Sequence, residues 1–149
     1  MKLVRGFVAI IAGLAITLVF VQMLDATLAH AVAARPLESL DEYGAVLNTP
    51  LAMGARLVYT SLVAVLGGYV CSKTAGDDGL RYTANAATFR AIALVGGAVA
   101  GLMPPTSIWM FVPLVIVSTA GMLAGGAIPP AAAAARRSAT RPNEQSSNT

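Results

Sequence analysis

The chain has 149 residues, 56% of them hydrophobic and only 11% charged, with a formal charge of +3 and a mean hydropathy of +0.71. That is too apolar for an ordinary water-soluble domain of this size, so lipid is the expected solvent. The basic residues sit in short clusters beside apolar runs, which excludes the basic face a nucleic-acid partner needs, and the lone Cys71 excludes an intrachain disulfide and any Cys/His metal spacing.

Residues 6–24, GFVAIIAGLAITLVFVQML, carry no charge and match the roughly 20 apolar residues that cross a hydrocarbon core about 30 Å thick. They predict a first span over residues 6–25. Lys2 and Arg5 ahead of it, with AHA (29–31) or AVA (31–33) behind it, also resemble a cleavable signal peptide. A signal h-region is usually about 7–15 residues, and this run is longer, which favours a retained anchor. The loop that follows, residues 25–55, is acidic through Asp25, Glu38, Asp41 and Glu42, and SLDE (39–42) has the capping-box spacing that starts a short interfacial helix.

Thr49 followed by Pro50 supplies an N-cap and a first-turn proline. The second helix therefore starts outside the membrane and enters past Arg56, giving a span over residues 55–73. Gly76, followed by Asp77 and Asp78, reads as its end, since glycine suits the left-handed C′ position. After Arg90 no charge appears until Arg136, and the stretch is divided by MPPTS (103–107), whose prolines cannot continue a helix. This predicts a hairpin of two further spans, residues 84–103 and 108–128. Residues 91–103 alone would rise only about 20 Å, so Arg90 is drawn into the third span and is expected to snorkel toward the headgroups. Pro113 leaves two readings of the fourth span open: a kink, or a first turn that puts Trp109 in the interface. Residues 131–149 read as a disordered cytoplasmic tail, polar toward its end.

The expected fold class is thus all-α, a membrane-spanning four-helix bundle with short loops. With the amino terminus inside, Lys2, Arg5, Lys73, Arg81, Arg90, Arg136, Arg137 and Arg141 are cytoplasmic and only Arg35 and Arg56 are external. The positive-inside rule then places both termini in the cytoplasm of a bacterial inner membrane.

Small residues four apart share a helix face and let backbones approach in lipid. Such stripes occur in every span: Ala9 and Gly13; Ala64, Gly68 and Ser72, widened by Gly67; Ala93, Gly97 and Gly101; Gly121 and Gly125. They predict the packing seams, within the chain or against a second copy. The layout, with its GGY (67–69) and AG (75–76) motif and its proline-broken final hairpin, resembles small multi-span bacterial membrane proteins of uncharacterised function. The resemblance implies that fold and brings no activity, ligand or catalytic residue with it.

Few residues carry chemistry. Asp25 and His30 are the first pair to consider, since acids and histidines relay protons in membranes, but both fall at the outer end of the first span, where an interfacial polar pair is the simpler reading. Gln22 reads as a bond to a neighbouring helix. Arg90, the deepest charge, is an anchor first and a site for anionic lipid or a partner second. Cys71 reads as a packing residue rather than an acylation site. No base accompanies Thr17, Thr60, Ser61, Ser118 or Thr119, so no enzyme, cofactor or metal is expected. The leading functional expectation is a structural or accessory membrane component that associates with itself or a larger membrane protein, and the alternative is a small oligomeric transporter or pore.

Overall fold

The computed structural model describes residues 2–35, 37–101 and 108–140, and among them every regular element is a helix. The order is α1 Lys2–Ala33, α2 Leu40–Leu47, α3 Pro50–Ala75, a single 3-10 turn Gly76–Asp78, α4 Gly79–Val99 and α5 Ile108–Thr140. Three stretches are long and apolar enough to cross a membrane: Val4–Ala33, Pro50–Val99 and Ile108–Pro129. The second of these would extend about 75 Å if straight. It instead folds back at Gly76, whose φ of +81° is open to glycine and strained for other residues. The Thr83 hydroxyl reaches the Gly68 carbonyl at 3.5 Å, and so α4 lies antiparallel on α3.

Several boundaries follow from local chemistry. Ser39 caps α2, its hydroxyl accepting the Glu42 N–H at 3.2 Å, as the capping-box spacing requires. Pro50 occupies the first turn of α3 after an extended Thr49, although the Thr49 side chain makes no cap and donates to the Val46 carbonyl at 2.9 Å instead. Arg5 donates from Nε to the Thr74 carbonyl at 2.7 Å, placing a cation on the negative end of α3.

The helices run further than the apolar segments. The alanine-rich sequence after Asp25 continues α1 to Ala33, and five alanines at 131–135 help carry α5 to Thr140, into residues where a disordered tail is expected. Pro113 is the sixth residue of α5, one turn inside rather than in the first turn. The MPPTS segment (103–107), where a helix break is expected, and the residues beyond 140 lie outside the described residues.

Helix α3 is central and touches α1, α4 and α5. It runs antiparallel to α1 and α4 and parallel to α5. The α3/α5 contact is backbone on backbone: a Cβ on Gly68 would land on the Met122 carbonyl, and one on Gly125 on the Val65 carbonyl. On the α1 side, Cβ atoms at Gly13 and Gly67 would each lie 2.9 Å from the other's carbonyl oxygen. The shared core holds Ala9, Ala64, Cys71, Ala86, Ala87 and Met122. Small side chains there allow close contact, which is where helices in lipid gain their attraction. The outer surface is apolar, with Phe7, Ile11, Leu18, Leu62, Ile92 and Ile116 at least half exposed. Such a surface is costly in water and ordinary in lipid.

The small-residue stripes divide into two groups. Ala9, Gly13, Ala64, Gly67, Gly68, Ser72, Gly121 and Gly125 are buried against other helices. The α4 stripe is not: Ala93 and Gly101 are exposed and Gly97 is only half-buried. Instead α4 buries Gly79, Thr83, Ala86, Ala87 and Arg90, with Thr83 admitted by Gly126 of α5; Ala93 and Gly97 continue this same face, one heptad after Ala86 and Arg90, but past Arg90 no residue of α4 through Val99 is buried.

Candidate functional site

At the end of the core nearest α2, Asp25 of α1 and Arg56 of α3 form a buried ion pair. Arg56 donates from Nε to Asp25 Oδ1 at 3.1 Å and from Nη2 to Oδ2 at 3.0 Å, the two-pronged geometry that makes arginine–carboxylate pairs strong. The Tyr59 hydroxyl, one turn deeper on α3, donates a short hydrogen bond to the same Oδ1. Two helices are therefore clamped through one carboxylate, and both charges are satisfied where water is scarce.

Arg90 of α4 lies further in, beside Leu14 and Leu18 at the middle of the charge-free run of α1. The expected snorkelling does not occur. Its side chain turns into the helix interior, leaving 7% of the residue exposed, and Nε donates to the Ser118 hydroxyl of α5. No carboxylate pairs with it among the described residues. The reason lies in α4's rotation: Thr83, Ala87 and Arg90 share one helical stripe, so docking Thr83 on Gly126 turns Arg90 inward as well.

Between these two arginines lies a cavity of about 90 Å³ whose polar lining is Gln22, Asp25, Tyr43, Arg56, Thr60 and Arg90. Thr60 is 1% exposed, and its hydroxyl oxygen has no hydrogen-bond partner among the described residues. An unmade bond at a buried hydroxyl costs roughly 1–3 kcal/mol. One carboxylate and two guanidiniums line the cavity, leaving one positive charge without a counter-charge. The Arg90 guanidinium and the Thr60 hydroxyl both bring hydrogen-bond donors to this lining.

A second hollow, an apolar groove of about 340 Å³, runs between α1 and α4 along Ile11, Ala15, Phe89 and Ala93. It shares Leu18, Leu94 and Arg90 with the polar cavity. Arg90 therefore stands where an apolar groove and a polar chamber meet.

The remaining candidates fall elsewhere. His30 is exposed on the last turns of α1 and is not brought to Asp25. Gln22 is exposed and borders the polar cavity. Cys71 is buried as a free thiol in the core. The hydroxyls of Thr17 and Thr83 are spent on the Gly13 and Gly79 carbonyls at 2.7 and 2.8 Å. Arg56, Tyr59 and Thr60 are the members that sequence reasoning did not assemble. The available signal was an acid and a base of opposite sign, one at the end of the first apolar run and one at the start of the next.

Outside the spans, Arg35 holds the exposed Glu42 carboxyl below its ordinary range by hydrogen bonding, helped by the Glu38 N–H. Burial pushes the Tyr43 phenol up, and the nearby Asp25 charge adds to it. No group of three or more His, Cys, Asp or Glu side chains able to hold a metal occurs among the described residues. No family model, curated protein or solved structure matches this chain.

Proposed function

We propose that the chain is a four-span integral protein of a bacterial cytoplasmic membrane, with both termini cytoplasmic, whose helices pack as a bundle around a site for an anionic ligand. Its role is that of a small binding or transport component without enzymatic chemistry of its own. The observation that carries this reading is the buried Arg90 guanidinium, bonded to Ser118 and facing a cavity that also contains the unpartnered Thr60 hydroxyl. An arginine at this depth is costly and rare in membrane helices except where it serves a pathway or a partner.

The test is thermal unfolding of the detergent-solubilised protein with acetate, phosphate or a carboxylate amphiphile, for the wild type and Arg90→Gln. Binding of an anion to the native state raises the unfolding temperature by mass action. The reading expects a rise for at least one anion in the wild type alone. An unfolding temperature indifferent to every anion would defeat it. Orientation is checked separately by reporters fused after Thr149 and within α2, which should report opposite sides of the membrane.

A second reading, an accessory component that associates laterally with itself or a larger membrane protein, is favoured by one observation. The α4 stripe of Ala93, Gly97 and Gly101 is left outside the core, and a Cβ added at neighbouring Gly96 would meet nothing. Crosslinking in native membranes that captures only monomer would remove this alternative.

A further inference from the structure

Resting on the anion-site reading, we infer that the ligand is a single-chain carboxylate amphiphile, with its head in the polar cavity at Arg90 and Thr60 and its chain in the α1/α4 groove. Three observations converge on this chemistry. The first is charge: Arg56 is occupied by Asp25 through both carboxylate oxygens, so the chamber has one cation left and takes one negative charge. A carboxylate meets that requirement and has two acceptor oxygens, one for the Arg90 guanidinium and one for the Thr60 hydroxyl, whose oxygen otherwise has no partner.

The second is size. The polar chamber is about 90 Å³, room for a compact head and not for a molecule with an extended body. The adjoining groove is about 340 Å³, within the range of roughly 300–1,000 Å³ found for small-ligand pockets. Its walls are almost wholly apolar side chains, which suits a hydrocarbon chain and repels a hydrated free anion.

The third is access. Ile11, Leu18 and Phe89, which line the groove, are each at least half exposed on the outer face of the helices. In a bilayer that face meets acyl chains, so a ligand dissolved in the lipid enters sideways and reaches Arg90 without crossing an aqueous pore. Asp25 and Arg56, locked together, form part of the chamber wall away from the groove.

The experiment titrates dodecanoate, dodecanol and acetate separately into the full-length protein in a non-ionic detergent at about pH 9, where carboxyl groups are ionised. Calorimetric affinity is measured for the wild type, Arg90→Gln and Ala93→Phe, the last filling the groove from an exposed position that leaves the core alone. Dodecanoate should bind the wild type, and both substitutions should weaken it by about tenfold or more. Dodecanol, lacking the charge, and acetate, lacking the chain, should each bind at least about tenfold more weakly than dodecanoate. Acetate binding as tightly as dodecanoate, with Arg90 required and Ala93→Phe without effect, would overturn the amphiphile while leaving the anion site. Dodecanol matching dodecanoate, or Arg90→Gln binding as well as wild type while retaining native helicity, would overturn it as mere partition into apolar surface. Failure of all three probes to bind would defeat the anion site together with the inference.

Discussion

Arg56 engages both oxygens of Asp25, at 3.1 and 3.0 Å, across 31 residues of sequence. The pair ties the C-terminal part of α1 to α3 and is buried on both sides, with 5% of Asp25 and 9% of Arg56 exposed. Removing either partner alone leaves a charge stranded where solvent does not reach it. Asp25→Ala and Arg56→Met should each cost roughly 3–5 kcal/mol, whereas the double substitution to apolar residues should recover most of that loss. Unfolding by titration with a denaturing detergent, run as a double-mutant cycle, measures the coupling.

Glycine positions separate sharply by what faces them. Gly68→Ala and Gly125→Ala drive a methyl into the carbonyls of Met122 and Val65, backbone atoms that yield only if α3 and α5 part. Each should destabilise by about 1–3 kcal/mol or more. Gly54→Ala and Gly96→Ala meet open space and should be neutral or stabilising by up to about 1 kcal/mol. The same unfolding assay distinguishes the two classes.

Two residues with positive φ give opposite expectations. Ala34 follows α1 at φ +53° and Gly76 ends α3 at φ +81°. Ala34→Gly should relieve roughly 1 kcal/mol of backbone strain, and Gly76→Ala should introduce about 1–3 kcal/mol. The Ala34 N–H donates to the His30 carbonyl at 3.0 Å, a bond that glycine preserves, so a rise in unfolding temperature for Ala34→Gly reports the backbone alone.

Helix α2 carries a pH dependence. The Glu42 carboxyl is lowered by Arg35 and by the Glu38 N–H, so its folded pKa lies below the unfolded one. Its contribution is present above the unfolded value and is lost as pH falls through the folded value. Hydrogen exchange of the α2 amides should be slower in wild type than in Glu42→Gln at neutral pH. The two should converge on acidification below about pH 4.

Cys71 offers a check on the packing, since it is the sole cysteine and is buried. A thiol reagent should label the native protein slowly and the denatured protein readily, while a cysteine introduced at exposed Ala45, with Cys71 replaced by Ala, should label at once. Rapid native labelling of Cys71 would contradict the α1/α3 contact, in which Cys71 packs on Gly13.

Local signals in the sequence reached the structure where the determining chemistry is short in range. Ser39 with Glu42, Thr49 with Pro50, and Gly76 each mark an element boundary through residues that touch one another, and each boundary lies where those residues put it. The small-residue seams of α1, α3 and α5 were legible for a related reason: in lipid, only small side chains permit backbone contact. Two features were not. Ala93 and Gly97 of α4 prolong the face that carries Ala86 and Arg90, seven residues earlier, but the helix is buried only as far as Arg90; how far a helix stays in contact depends on distant partners such as Gly126, more than 40 residues away from Thr83. The docking of Thr83 on Gly126 also turns Arg90 inward. The partnership of Asp25 with Arg56 likewise depends on how two helices pair in space, which hydropathy along a chain does not encode.

Past Arg90, no residue of α4 through Val99 is buried. This end of the helix, about 13 Å at 1.5 Å per residue, is therefore held mainly by the packing at and before the arginine. Ala93 and Leu94 line the α1/α4 groove from here, so one wall of that groove belongs to the least anchored stretch of α4.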